Sequence, residues 1–214
     1  STAEQKVVAT IRFSQLEPIA LAFSPDGTRL YVVGAVNTGV AVIDSSAAEP
    51  AQWRVIDTWN LSGYFTALWF DPMTPRLLVA DIKANGVRVL SHTDGSELAR
   101  LVVPNGRCRL PSALALKGTQ LFVACETDNT VAVFDLTTQT HLKDISVGNG
   151  PTALAAHPTA ERLFVANTKD GSLSLINISN LNELPQTITD SSLLTAPVAM
   201  AWLGGELWIL DQSK

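Results

Sequence analysis

Short apolar runs separated by tight turns recur along the whole chain. In the first set, apolar runs at 19–23, 30–33 and 40–43 are separated by the turns SPDG at 24–27 and NTG at 37–39. The first turn combines the fixed φ of a proline, an aspartate that bonds to nearby backbone and a glycine that accepts a positive φ. We therefore predict three antiparallel strands, followed by an outer strand with one wet face in the alternating sequence WRVIDTW at 53–59.

This pattern returns four more times, the last time incompletely. The first strand, IALAF, recurs as TALWF, SALAL, TALAA and VAMAW, and the central residues of these copies are spaced by 47, 46, 40 and 46 positions. The second strand, LYVVG, recurs with the same period as LLVAD, LFVAC, LFVAN and LWILD. A period of about 40–45 residues that holds four strands is typical of β-propeller blades.

The sequence therefore predicts an all-β fold, a β-propeller of four-stranded antiparallel blades, with four complete blades and a partial fifth. The blades of this single domain, 1–214, are expected at about 17–63, 64–106, 107–150 and 151–196, with the fifth made from 197–214 and 1–16. Within each blade we label the strands a to d, from first to last.

Three segments carry a family resemblance: LYVVGAVNTGVAVID, LFVACETDNTVAVFD and LFVANTKDGSLSLIN. They resemble the YVTN family of β-propeller repeats, and the SPDG turn resembles that family's hairpin between strands a and b. Relatives include surface-layer and other extracytoplasmic bacterial proteins, lactonase-like enzymes and the heavy subunits of quinone-dependent amine dehydrogenases. The second blade departs most from the pattern, because DPMTP at 71–75 replaces SPDG. The resemblance implies a bacterial periplasmic or secreted protein.

The two ends of the chain leave the ring incomplete. Residues 5–13 alternate like a strand d without strands a, b and c before them, whereas 197–211 supply only strands a and b. Closing the ring with the N-terminal strand would remove exposed edges, but strand c would still be missing. The chain is therefore expected to be a fragment of a larger, for example seven-bladed, propeller. A five-bladed ring with one incomplete blade and completion by a partner chain are the alternatives.

Composition narrows the classes of partner. Hydrophobic residues make up 46% of the chain and charged residues only 16%, as a set of stacked blades requires. The net charge of −5, without a basic stripe, argues against binding to nucleic acid. No apolar run is long enough to span a membrane.

The two cysteines both belong to the predicted third blade. Cys108 precedes its strand a and Cys125 ends its strand b, so the two residues fall at the same end of one hairpin. A disulfide is geometrically plausible there and would indicate an oxidising compartment. The alternative is two unpaired cysteines. A metal site is not predicted, because neither cysteine has a second cysteine or a histidine near it in sequence.

The loops of one propeller face are the predicted binding face. This face carries the connections from strand d to the next strand a (d–a loops) and from strand b to strand c (b–c loops). Carboxylates recur in the b–c loops, namely Asp81, Glu126, Asp128, Asp170 and Asp211. They could bind a cation or a basic partner, but turns also favour aspartate, and that interpretation is the preferred one.

The remaining polar residues do not assemble a catalytic set. Arg107 and Arg109 form the one short basic cluster, in a d–a loop, where they either clamp an anionic group or pair with Glu126. We expect the pairing. His157 is expected to shape an a–b turn on the opposite face, and His92 and His141 are expected to be peripheral. The sequence predicts no catalytic residue, no metal and no cofactor.

Three functions compete on this evidence. The first is a non-catalytic binding or scaffold module that presents loops to a protein or cell-surface partner. The second is an enzyme or enzyme subunit, by analogy with the lactonase-like and amine dehydrogenase relatives, and analogy of fold is a weak argument for function. The third is a structural surface-layer repeat. We rank them in that order.

Overall fold

The computed structural model describes residues 7–13, 16–35, 39–192 and 194–212, which form five antiparallel sheets. The first four sheets have four strands each, paired in chain order, and the last has two. These sheets confirm the predicted β-propeller of four-stranded blades. Three short 3₁₀ turns complete the fold, at Pro50–Gln52, Ile82–Ala84 and Pro104–Gly106.

The strands follow the predicted repeat. Blade one contains β1 (Pro18–Phe23), β2 (Arg29–Gly34), β3 (Val40–Asp44) and β4 (Arg54–Trp59). Blade two contains β5 (Phe65–Asp71), β6 (Arg76–Asp81), β7 (Gly86–Ser91) and β8 (Glu97–Val102). Blade three contains β9 (Pro111–Lys117), β10 (Gln120–Cys125), β11 (Thr130–Asp135) and β12 (Thr140–Ser146). Blade four contains β13 (Pro151–Ala156), β14 (Arg162–Asn167), β15 (Ser172–Asn177) and β16 (Gln186–Thr189), and the last sheet contains β17 (Pro197–Leu203) and β18 (Glu206–Asp211).

An apolar cluster fills each junction between neighbouring sheets, and a further cluster lies against blade one. In β10, Leu121 and Val123 pack towards blade two, whereas Phe122 and Ala124 pack towards blade four. A strand buried on both faces needs a continuous apolar run rather than an alternating one. This explains why LFVAC and its copies are the most apolar segments of the repeat. The outer strand β4 differs from the prediction of one wet face, because both Val55 and Ile56 are exposed.

A repeated hydrogen bond also connects neighbouring blades. The second residue of strand a carries a hydroxyl in blades two, three and four, and this hydroxyl bonds to the carbonyl oxygen of the first residue of the next strand a. The pairs are Thr66 with Pro111, Ser112 with Pro151 at 2.7 Å, and Thr152 with Pro197 at 3.5 Å. The inner strands are therefore joined in series by polar contacts as well as by apolar packing.

The five sheets form an arc whose two end faces are exposed. Leu21 of blade one is 60% exposed, and Leu210 of the last sheet is 62% exposed. Residues 7–13 form no strand in the structure, and Ile11 and Phe13 pack against blade one. The predicted pairing of this segment with the last blade is therefore not formed by its described part, and residues 5 and 6 lie outside the described residues. How the ring is completed stays a prediction.

The predicted disulfide is confirmed. Cys108 and Cys125 are bonded across 17 positions, with their Cα atoms 4.8 Å apart. Both residues are fully buried in the apolar cluster between blades two and three. The bridge fixes the d–a loop before β9 to the end of β10, at the point where the b–c loop of blade three begins.

Candidate binding face

The d–a and b–c loops lie on one face of the propeller and are bonded directly to each other. In blades two to four and in the last sheet, a b–c loop carboxylate accepts a backbone N–H from the d–a loop of the same blade. We call this set of contacts the loop staples. Their carboxylates are Asp81, Asp128, Asp170 and Asp211. Residues 36–38 of the b–c loop in blade one lie outside the described residues.

Asp81 forms the buried staple. Its side chain has no exposed surface, and its Oδ1 accepts from the backbone N–H groups of Tyr64 at 3.0 Å and Lys83 at 2.9 Å. Its Oδ2 accepts from Nε of Arg88 at 2.7 Å. Arg88 also donates to the Ser62 carbonyl at 2.6 Å. Asp81 is thus part of a satisfied buried ion pair and not a ligand on the rim.

The blade-three staple joins Asp128 to Arg109. The carboxylate accepts from the backbone N–H of Arg109 at 3.0 Å and from its guanidinium at 2.8 Å. Desolvation opposes the charged form, but the hydrogen bonds and the charge of Arg109 outweigh it and lower the pKa of Asp128. The predicted pairing of the arginine cluster with Glu126 is wrong, because Glu126 binds Lys169 of blade four at 3.0 Å.

The remaining two staples accept hydrogen bonds from backbone N–H groups and hydroxyls. Asp170 accepts from the backbone N–H of Asn149 at 2.8 Å and from the Ser172 hydroxyl at 2.7 Å. Asp211 accepts from the backbone N–H groups of Thr195 and Ala196, both at 2.8 Å. The staple carboxylates thus bond one loop to another, and their predicted role in a ligand- or partner-binding face stays a prediction.

The b–c loops are rich in carboxylates, but several of the most exposed charged side chains on this face are cations. The side chain of Arg109 is 62% exposed and that of Asp128 is 15% exposed. Likewise, Lys169 is 59% exposed and its partner Glu126 is 22% exposed. Arg107 is exposed too, and no ion pair involves it in the described part of the chain. Cations therefore lie over Asp128 and Glu126, whereas Asp170 is itself exposed.

The histidines contribute to structure on the opposite face and at the periphery. Nδ1 of His157 accepts from the backbone N–H groups of Thr159 and Ala160, and its ring packs 4.5 Å from that of Trp202. This agrees with the expected turn role. His141 lies 2.8 Å from Asp144 on the outer strand of blade three. Within the described ranges, no group of three or more histidine, cysteine, aspartate or glutamate residues is arranged to hold a metal ion.

A cleft between blades one and two, on the face opposite to the loop staples, was not found from sequence. It encloses about 440 Å³. Its lining includes Arg29, Tyr31, Phe70 and His92, which come from two different strands and one turn. The Tyr31 hydroxyl donates to the His92 carbonyl at 3.0 Å. Alignment of the repeats could have indicated the cleft, because the residue opposite the arginine that begins strand b differs from blade to blade.

An open apolar groove of about 440 Å³ runs along the inner strands of the first two blades. Leu21, Phe23 and Trp69 contribute to its walls. Trp69 is 38% exposed, whereas Trp202 packs against Phe164 of the neighbouring blade. No helix in the described residues is both long and apolar enough to cross a membrane.

Comparison with known proteins supports the fold and leaves the family open. No protein-family model matches the chain, and no curated protein matches it by sequence. Among solved structures, it is similar to Kuenenia stuttgartiensis hydrazine synthase, with 19% identity and a TM-score of 0.69 over 91% of this chain and 54% of that chain. U3-55K is similar with 17% identity and a TM-score of 0.67, over 83% of this chain and 53% of that chain.

Both neighbours are β-propeller proteins. At these identities the similarity shows the fold alone, and the chain spans about half the length of each, 54% and 53%. Membership in the YVTN family therefore stays a prediction.

Proposed function

We propose that this chain is a non-catalytic binding or scaffold propeller that presents the stapled loops to a protein or cell-surface partner. The observation that carries the proposal is the arrangement of charge on the loop face, where exposed Arg109 and Lys169 lie over Asp128 and Glu126, and Arg107 is exposed beside them. The partner surface that complements this arrangement is acidic. Arginine is among the residues enriched at protein interfaces, and its planar guanidinium binds carboxylates through two parallel hydrogen bonds.

The loop staples reduce the cost of binding. A loop that is already held in its bound conformation loses little conformational freedom when a partner docks. Around blade three, the disulfide, the Asp128–Arg109 contact and the Glu126–Lys169 contact fix the loops next to Arg107. The exposed guanidinium of Arg107 is therefore presented from a rigid base.

An extracytoplasmic location is part of the same proposal. Disulfides persist in oxidising compartments and are rare in the cytosol. The Cys108–Cys125 bridge and the resemblance to YVTN repeats, many of which are extracytoplasmic bacterial proteins, both support a periplasmic or secreted protein.

The test measures binding of a glutamate-rich peptide and of a lysine-rich peptide of equal length by surface plasmon resonance. We expect the acidic peptide to bind in preference. The double reversal Arg107→Glu with Lys83→Glu should remove that binding, because both cations are exposed on the loop face and neither forms an ion pair in the described residues. The matched control, Arg54→Glu with Lys143→Glu, makes the same change of charge on outer strands and should bind like the wild type.

Two results would overturn the proposal. One is equal binding of the two peptides, or equal loss of binding in the two double variants. The other is turnover of lactones, or oxidation of amines with a quinone acceptor, because either activity would move the enzyme interpretation to the front.

A further inference from the structure

The clefts between neighbouring blades on the face opposite to the loop staples can be compared position by position. Arg29 and Arg76 are equivalent, because each begins strand b of its blade. Register places Ser24 of blade one where Asp71 stands in blade two, directly opposite the arginine. The same repeat position is thus occupied by a hydroxyl in one cleft and by a carboxylate in the next.

In the cleft between blades two and three, the arginine has internal partners. Nε of Arg76 lies 2.9 Å from Oδ2 of Asp71, and the two side chains are 10% and 3% exposed. The guanidinium also donates across the cleft to the carbonyl of Leu136 at 3.2 Å. An internal carboxylate therefore neutralises this cation, and an internal carbonyl accepts from it.

In the cleft between blades one and two, neither of these partners remains for Arg29. The Ser24 hydroxyl accepts from the backbone N–H of Arg29 at 3.0 Å and carries no charge. His92 occupies the position of Leu136, but its carbonyl is taken by the Tyr31 hydroxyl at 3.0 Å. Arg29 forms no ion pair in the described part of the chain, although Asp44 lies opposite it on β3 and within electrostatic reach, and its guanidinium interacts with the Tyr31 hydroxyl.

The surroundings of Arg29 form a cavity with an apolar floor and a polar rim. Its floor is made by Tyr31, which is fully buried, and Phe70, whose ring centroid lies 5.8 Å away. The His92 ring meets Phe70 edge-on at 6.0 Å. The volume, about 440 Å³, lies in the range of small-molecule sites.

One carboxylate, Asp26, also lines the cavity. It is held by the Ser24 hydroxyl at 2.6 Å and by the backbone N–H of Thr28 at 3.1 Å. These hydrogen bonds, the one from Ser24 first, lower the pKa of Asp26, so it stays charged at neutral pH. Its charge disfavours a ligand with two negative groups.

We propose that this cleft binds a small monoanion with a flat apolar body, that is, an aromatic carboxylate. The carboxylate would bind Arg29 at the rim, and the ring would pack beside His92 and the exposed edge of Phe70, above the buried Tyr31. Because Ser24 carries no charge and the His92 carbonyl already accepts from Tyr31, the guanidinium of Arg29 keeps donors beyond its contact with the Tyr31 hydroxyl. This site lies on the face opposite to the loop staples, so it is independent of the function proposed above.

The experiment titrates the protein with phenylacetate and follows binding by isothermal titration calorimetry and by NMR. We expect a dissociation constant of about 1 mM, with 2-phenylethanol, which lacks the charge, at least about tenfold weaker. Arg29→Gln should weaken phenylacetate binding by about tenfold or more, whereas Arg162→Gln, at the equivalent position in blade four, should leave it unchanged. Ser24→Asp rebuilds the arrangement of blade two and should also abolish binding.

Ser24→Asp keeps the proposal falsifiable if Arg29→Gln lowers stability, because it retains the arginine and adds its partner. Thermal unfolding of each variant is measured beside the titration. Absence of phenylacetate binding to the wild type, equal binding of 2-phenylethanol, or binding that survives in Arg29→Gln or in Ser24→Asp would each overturn the proposal.

Discussion

The buried staple of blade two makes the sharpest prediction for stability. In Asp81→Asn, the side-chain oxygen can still accept from the backbone N–H groups of Tyr64 and Lys83, but the amide nitrogen would face Arg88. Two donors would then oppose each other, and the guanidinium, 10% exposed, would lose the charge that neutralises it. Removing one partner of a buried ion pair costs about 3–5 kcal/mol.

Two contacts of Arg88 indicate that the loss of stability lies at the lower end of this range. Nη1 of Arg88 lies 3.6 Å from a second carboxylate, Glu97, whose side chain is 32% exposed. Arg88 also keeps its hydrogen bond to the Ser62 carbonyl. Both contacts compensate in part, so we expect a loss of about 3 kcal/mol. For a domain of this size, that corresponds to a melting temperature lower by about 6–12 °C.

Asp128→Asn is the matched control, because it changes the same group in an equivalent staple. Its partner Arg109 is 62% exposed, and exposed pairs contribute about 0–1 kcal/mol. Urea unfolding followed by circular dichroism and tryptophan fluorescence measures both variants. In the double variant Asp81→Asn with Arg88→Gln, the loss should be smaller than the sum of the single losses.

The reasoning is refuted if Asp81→Asn costs no more than Asp128→Asn. Burial of the ion pair would then not be what distinguishes the two staples. Additive losses in the double variant would equally refute a direct coupling between Asp81 and Arg88.

Three further predictions concern other contacts. Reduction of the Cys108–Cys125 bridge, which closes 17 positions, should lower the free energy of unfolding by about 3 kcal/mol, measured by urea unfolding with and without reductant; an unchanged midpoint would contradict it. Ser112→Ala removes the bond to the Pro151 carbonyl and should cost about 1 kcal/mol, with Ser112→Thr as the control that keeps the hydroxyl. The backbone N–H groups of Thr138 and Thr137 lower the pKa of Asp135 in the folded state. The stabilisation by this carboxylate is therefore present above the unfolded pKa and is lost as pH falls through the folded pKa. Asp135→Asn should make the melting temperature fall less steeply below about pH 4, and an unchanged slope would argue against this.

The fold could be predicted because each blade repeats the same physical constraint. A strand b that packs against a blade on either side must be apolar at every position, as in LFVAC, and that requirement recurs once per blade. The disulfide could be predicted for the same reason, since the repeat places Cys108 and Cys125 at one end of a hairpin. The pairing of residues 7–13 could not be predicted in the same way, because an alternating pattern does not specify which sheet edge, if any, a segment joins.

The carboxylates of the loop face show why residue type alone was insufficient. Asp81 and Asp128 lie at neighbouring places in the repeat and both accept a backbone N–H from the preceding d–a loop. One is buried against Arg88 and the other is covered by an exposed Arg109. The difference depends on which basic residue lies within reach in three dimensions, and sequence spacing does not report that distance.

Comparison between repeats recovers part of what a single copy conceals. Equivalent positions in two blades have similar surroundings, because the blades stack in the same way. When the partner of an arginine is replaced in one blade and the arginine is kept, part of its hydrogen-bonding capacity can be used by a ligand. Arg76 keeps its carboxylate at Asp71, whereas Arg29 faces Ser24. Both arginines begin the same strand of their blades, but Arg29 lies opposite Asp44 of β3 and interacts with the Tyr31 hydroxyl instead of forming an ion pair across strand a. Its guanidinium therefore keeps donors that a ligand could use, and the aromatic residues next to it select the kind of ligand that would bind.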